Sequence, residues 1–399
     1  MRTTKKVTEE ELEMSAESLI ECFEDIPDPR IQRSQLHPLP SILGLSLCAI
    51  LSGADSFSGI EDFGHIRHSW LETFLDLPNG IPSHDTIGRV FAMLDPIALR
   101  EAFTRWTQSI ASLKKGEVVA IDGKTLRRSF QDANKSAFVH MVSAWATQNR
   151  MVLGQVKTED KSNEITAIPQ LLETLKIEGC IVTIDAIGCQ KEIADKIIKR
   201  GADYMLGVKN NQPSLAAATS GIFDEALRDP GFQTAHNYHE TREKGHGRTE
   251  VRRCWTLSLG QDMGEPFDSW KGARSIVLVE RQRKVGDKTS VQRAFYISSC
   301  DEPTAKDALA ATRAHWSIEN EVHWVLDVVF REDDSRVRVY NAAENFAVLR
   351  HIALNLLKAV PTGPRGKKIG IKRKRMAAGM QEDYFDRVLG LTDGRDLMR

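Results

Sequence analysis

The order of elements along the chain predicts an α/β protein: a βββαβαβ core closed by a further helix, preceded by an all-helical segment and interrupted by a strand-rich insertion. Three observations carry this. Up to about Gly116, apolar residues recur at helical spacing. Beyond it, short continuous apolar runs take over, first Val118-Val119-Ala120-Ile121-Asp122 and later Ile181-Val182-Thr183-Ile184-Asp185. Amphipathic helices fall between the later runs, as parallel crossovers require.

Residues 1–116 read as a separate helical N-terminal domain, a candidate for DNA binding, with apolar stretches from Leu39, from Ile60 to Leu77, from Ser83 to Leu94 and from Ala98 to Leu113. The run around Ile42 to Leu51 is too short to span a bilayer and is broken by Gly44 and Ser46, so a buried helix is expected. Ser83 is placed to cap a helix that opens with His84, Asp85 and Thr86 and carries Arg89 one turn on. That suits a helix whose first turn meets DNA, although a capped surface helix looks the same.

In residues 117–210, the first part of the core, Phe138 to Trp145 and Met151 to Val156 read as strands turning at Gln148-Asn149. An amphipathic helix from Glu164 to Leu175 precedes the second apolar run. A helix with Ile193, Ala194, Ile197 and Ile198 on one face then stops at Gly201, before a strand from Tyr204 to Val208. Residues 211–302 form the insertion: a helical piece near Leu215 to Leu227, a strand from Glu250 to Leu257, and a hairpin of Ser275 to Lys284 and Val291 to Ser299 turning at Gly286-Asp287. Residues 303–360 return to the core with one more helix, and residues 361–399 read as a basic tail.

Composition excludes several classes. The chain has 399 residues, room for a sizeable core, and its six cysteines include no Cys-x-x-Cys pair, which argues against zinc and disulfide scaffolds. A reducing cytoplasm, with association to the nucleoid, is the expected setting. The net charge of −1 is not that of a DNA-coating protein, but charge is segregated. Glu9 to Asp28 is acidic, whereas Arg365, Lys367, Lys368 and Lys372 to Arg375 form one basic cluster and Arg242, Lys244, Arg248, Arg252 and Arg253 another. Glu243-Lys244-Gly245-His246-Gly247-Arg248 pairs glycines with donors suited to phosphate, as a solvated turn also would.

The chemistry resides in carboxylates. An Asp closing an apolar strand is costly if buried unpaired, and Asp122 and Asp185 occupy equivalent places on strands expected to run side by side. Two such groups can bridge divalent ions that act on a phosphodiester about 4 Å apart. A third carboxylate comes from Ala314 to Asp327, read as a helix on which His315, Glu319, His323 and Asp327 line one stripe at i, i+4 steps. Glu321, two positions from Glu319, lies about 200° round that helix and faces elsewhere.

With these residues in place, the chain resembles the H-repeat-associated, or ISAs-group, transposases, DDE enzymes of ribonuclease-H-like fold. The resemblance runs through Pro82-Ser83-His84-Asp85-Thr86, Ala120-Ile121-Asp122-Gly123-Lys124, Ile184-Asp185-Ala186, Gly245-His246-Gly247-Arg248, His315-Trp316-Ser317-Ile318-Glu319-Asn320 and Leu326-Asp327-Val328, with Phe330, Glu332 and Asp333. It implies a ribonuclease-H-like catalytic core with Asp122, Asp185 and Glu319 as both catalytic residues and metal ligands, Mg2+ as cofactor with Mn2+ able to substitute, and double-stranded DNA as partner, both terminal inverted repeats and target. It further implies cleavage at an element end, strand transfer by the freed 3′-hydroxyl, and a dimer or higher assembly on DNA. Lys209, His246, Arg248, His315, Trp316 and His323 are the expected DNA contacts. In the wider insertion-sequence pattern a Tyr and an Arg precede the Glu and a Lys follows it. Thr312, His315 and Leu326 stand there instead, with His315 and Trp316 the expected substitutes. Two alternatives remain open: a nuclease of the same fold that does not join strands, and a catalytically silent DNA-binding descendant.

Overall fold

The computed structural model describes residues 19–126, 139–158, 164–234, 236–245, 247–260 and 263–391. Helices come first: α1 (Leu39–Ser52), α2 (Phe57–Ile66), the single turn α3 (His68–Leu71), α4 (His84–Met93) and α5 (Pro96–Ile110). Their starts follow local chemistry. Ser56 and Ser83 accept the Gly59 and Thr86 amides at 3.1 and 3.3 Å, and Asp95 caps α5 ahead of Pro96. Helix α1, apolar on all sides, is buried along almost its whole length.

The helices before Gly116 do not close a core of their own. Their apolar faces are completed by α11 (Ala342–Ala359), α12 (Ile371–Met380) and α13 (Glu382–Leu389), so one hydrophobic cluster unites Ile42, Ile50, Phe91 and Phe103 with Phe346, Ile352, Leu356 and Phe385. Phe57, Phe91 and Phe346 meet with ring centroids 5.4–6.0 Å apart. Each side chain buried there contributes about 1.5–3 kcal/mol.

Against this helical cluster packs one mixed sheet of nine strands, ordered β3-β2-β1-β4-β5-β9-β8-β7-β6. Strands β1 (Val118–Leu126), β2 (Val139–Ala146) and β3 (Met151–Thr158) form the expected antiparallel meander. After α6 (Glu164–Thr174), β4 (Ile181–Ile184) runs parallel to β1. After α7 (Lys191–Lys199), β5 (Asp203–Val208) runs parallel to β4. A second core, built on Val119, Ile121, Leu171, Val182, Ile193 and Leu206, fills the sheet face under α6 and α7.

The insertion continues this sheet. After α8 (Pro213–Ala226), the meander of β6 (Tyr238–Gly245), β7 (Arg248–Ser258), β8 (Ser275–Val285) and β9 (Lys288–Ser298) joins β5 through antiparallel β9. Strand β6 was not expected from sequence. Its residues, Tyr-His-Glu-Thr-Arg-Glu-Lys-Gly, lack apolar alternation because an edge strand with no buried face does not need it. The far ends of β6 to β9 are exposed, so the meander projects as an arm.

The tail requires a correction. Lys372 and Arg373 are exposed, but Lys374 and Arg375 are buried within α12. Lys374 Nζ donates to the Leu357 and Val360 carbonyls at the end of α11. Arg375 donates to the carbonyls of Ile50 (2.8 Å), Val329 (2.7 Å) and Ala54 (3.1 Å), pairs with Asp55 at 2.9 Å, and lies over the Phe330 ring. Both side chains are spent on backbone carbonyls at or just beyond helix ends, and Arg375 also on Asp55, so neither is available to phosphate.

Candidate active site

Strand β1 is longer than its apolar run. Its parallel pairing with β4 ends at Ile121 opposite Ile184, yet β1 continues to Leu126 on β2 alone, so Asp122 stands within the strand rather than at its end. Past β4 the sheet is open on that side, and Asp122 to Thr125 are half-buried there. Asp185 follows Ile184 directly, which sets the two aspartates on adjacent parallel strands where β4 stops. Asp185 Oδ1 accepts the Ile187 amide at 3.0 Å, and Asp122 Oδ1 accepts that of Gly123 at 2.9 Å.

Over this edge lies a helix that begins as α9 (Ala305–His315), capped by Thr304, and ends as α10 (Trp324–Val328). It is not a uniform α-helix. Across Glu319–His323 it widens, the Trp324 amide bonding the Glu319 carbonyl in an i→i+5 step. The stripe read from sequence nonetheless faces the sheet. His315 Nδ1 is 3.2 Å from Thr183 Oγ1 on β4, His323 Nδ1 is 3.6 Å from Asp122 Oδ2 and 3.8 Å from Glu319 Oε2, and Asp327 reaches Lys124 Nζ at 2.7 Å. One ligand-type atom from each of Asp122, Glu319 and His323 falls within 4.8 Å of the others. Asp185 stands outside that trio but close enough for its charge to act on Asp122.

Burial pushes the Asp122 carboxyl up to about 6; the His323 imidazole opposes this, while the Glu319 and Asp185 carboxylates add to it. Glu319, more exposed, is held below the ordinary glutamate value by the imidazole beside it. Burial pushes the His315 imidazole down. Glu321 faces away, as its position implies, bonding Lys358 Nζ at 2.5 Å and Arg150 at 2.7 Å.

Sequence reasoning missed what supports these groups. Two residues past Asp122 on the same strand face, Lys124 Nζ meets Asp327 and Glu332 at 2.7 Å each and Asp333 at 3.8 Å, and Arg350 lies 3.8 Å from Glu332. On the opposite face, a buried His140–Glu164 pair (2.7 Å) lies beneath Gly123, where a Cβ would come within 2.4 Å of the imidazole. Only the family-like Gly123-Lys124 and Glu332-Asp333 pointed here, because partners 208 residues apart leave no local pattern.

Among the expected DNA contacts, Lys209 is exposed just beyond β5 on the same sheet edge, and Trp316 is exposed beside Glu319. His315 and His323 turn inward and are not outward-facing donors. Arg248 is exposed but paired with Glu250 at 2.9 Å, and His246 lies outside the described residues. Thr312 and Leu326 are both buried. The arginine cluster of the arm is largely neutralised across strands: Arg252 pairs with Glu243 and Glu250, and Arg253 with Glu240 and Glu280. At the first turn of α4, His84 bonds Glu61 and Arg89 bonds the Asp85 carbonyl.

Comparison with known proteins places this acidic edge in a transposase DDE domain. Residues 113–356 match the family described as Transposase DDE domain, and residues 20–107 match the DDE_Tnp_1-associated family. YncI of Escherichia coli O157:H7, which bears a transposase name, is 43% identical over 94% of this chain and 95% of its own. YhhI of Escherichia coli K12, named as H repeat-associated, is 40% identical over 94% of this chain and 98% of its own. A short relative, the inactive transposase YbfQ of the same strain, is 43% identical over 19% of this chain and 92% of its own. The chain belongs to the H repeat-associated group of DDE-domain transposases.

Proposed function

We propose that this chain is a metal-dependent transposase that cuts DNA at the ends of an insertion sequence and joins the freed end to target DNA, using Asp122, Asp185 and Glu319 on a ribonuclease-H-like core. The observation that carries this is the convergence of Asp122, Glu319 and His323 within 4.8 Å, with Asp185 on the neighbouring parallel strand. The strand order β3-β2-β1-β4-β5, antiparallel then parallel, supports the ribonuclease-H-like assignment. The residues fit a divalent cation: three carboxylates and an imidazole crowd one edge, and the raised Asp122 pKa is that of a buried acid lacking a counter-charge.

Asp122 would hold the ion jointly with Asp185 on one side and Glu319 on the other, Mg2+ being the first candidate and Mn2+ a substitute. When bound, such an ion polarises the phosphodiester and makes water or a 3′-hydroxyl a competent nucleophile. The protein positions these parts: β1 and β4 fix the aspartates, the helix brings Glu319 over them, and Lys209 and Trp316 stand at the rim to meet phosphate and an unstacked base. Two ends must be held together, so a dimer or larger assembly on DNA follows from the reaction.

The test is an excision and strand-transfer assay on DNA carrying an element end. Asp122→Asn, Asp185→Asn and Glu319→Gln should each abolish cutting while DNA binding persists. A variant that nicks at near the unmodified rate removes that residue from the assignment. Cutting without joining of a pre-cut end would make the protein a nuclease only.

A further inference from the structure

We infer that His323 is a direct ligand of the metal ion, so that the position between Asp122 and Glu319 is a mixed nitrogen and oxygen site that favours Mn2+ over Mg2+; this rests on the metal-dependent function proposed above. His323 is buried, its side chain 7% exposed, with Nδ1 directed at two carboxylates. Its distances to them, 3.6 and 3.8 Å, exceed those of hydrogen bonds. Nε2 is buried without a hydrogen-bond partner among the described residues. A cation shared with the carboxylates satisfies Nδ1 at about that spacing, since ligands about 2.1 Å from one ion stand roughly 3.0–3.7 Å apart.

The backbone supports the same conclusion. The widened turn falls across Glu319–His323, the two residues of this helix whose ligand atoms lie with that of Asp122. Such a widening within a helix commonly marks a functional position. Asp185, by contrast, offers only oxygen, one of its atoms engaged by the Ile187 amide. The two positions that share Asp122 are therefore chemically unequal: the Asp185 side is all-oxygen and suits Mg2+, while the Glu319 side includes an imidazole and suits Mn2+ or a later divalent ion.

The experiment uses the full chain, without DNA, and Mn2+ as the probe. Pulsed electron paramagnetic resonance should detect imidazole nitrogen coupled to bound Mn2+, changing on 15N-histidine labelling. His323→Gln, with its fold checked by circular dichroism, should lose that coupling and weaken Mn2+ binding at least tenfold by calorimetry, with a smaller loss for Mg2+. His315→Gln should retain the coupling, because His315 Nδ1 is directed at Thr183. Should His323→Gln not fold, retention of the coupling in His315→Gln alongside its loss in Glu319→Gln supports the assignment, and its loss in His315→Gln overturns it. Coupling that persists in folded His323→Gln, or Mn2+ bound to the unmodified protein with no nitrogen coupling, also overturns it while leaving the carboxylate site intact. Failure of the unmodified protein to bind any Mn2+ would instead remove the metal-dependent function itself.

Discussion

Replacing Lys124 by Met removes an ammonium that faces three carboxylates. Glu332 is almost wholly buried, its side chain 1% exposed, and both it and Asp327 lie 2.7 Å from Nζ. Removing one partner of a buried pair leaves an uncompensated charge, at a cost of about 3–5 kcal/mol. Arg350 remains 3.8 Å from Glu332, which places the loss near the lower end, about 3 kcal/mol. The pH dependence follows from the same contacts. Burial would raise Glu332, but Lys124 and Arg350 hold its pKa below the ordinary value, so its stabilising contribution is present above that value and lost as pH falls through the lowered one. Without Lys124 this carboxyl protonates more readily. The stability deficit of Lys124→Met should therefore be largest near pH 7.5 and shrink toward pH 4.5. Denaturant unfolding of both proteins across that range measures it, and Lys124→Met combined with Glu332→Gln should recover part of the loss. A deficit below 1 kcal/mol, or one that grows on acidification, would refute the assignment of these charges to a coupled cluster.

Three further outcomes are expected. Because Asp122 is pushed up to about 6, above the ordinary aspartate value, its contribution to the metal-free protein favours folding at low pH and is lost as pH rises through 6. Metal binding should release protons and weaken as pH falls through the same range, which calorimetry in buffers of different ionisation enthalpy reads directly. Glu321→Gln should lower stability by about 1–3 kcal/mol, since it strands the buried Lys358, while cleavage per folded molecule is unchanged. Changing Lys244, Lys284 and Lys288 at the tip of the arm to Ala should flatten the salt dependence of DNA binding by about 0.9 log unit for each phosphate no longer neutralised, whereas Lys374→Ala should reduce stability and leave that slope alone.

What sequence could and could not supply follows from the range of the forces involved. The βββαβαβ order, the helical boundary at Ser83 and the stripe from His315 to Asp327 were legible, because strand runs, caps and helical period are written in neighbouring residues. The widened turn at Glu319 was not, since no local residue type marks it. Charge misled where it was read as solvated surface: Lys374 and Arg375 look like a tail, yet their bonding partners are carbonyls from Ile50 to Val360. The pairing within the Lys124 cluster was hidden for the same reason, its members coming from β1, α10, the segment after α10, and α11.

The shared core of the first and last helices bears on how the protein is made. Helix α1 packs on α2 and on Leu75, but the rest of its apolar surface is covered by α11 and the helices after it, so that part leaves the ribosome without its native partners until residue 342 and beyond have been added. At ordinary synthesis rates that interval is roughly 15–60 s. During this time the nascent chain is a client for chaperones rather than a folded module. Synthesis halted before Ala342 would leave these helices without the partners that complete their core.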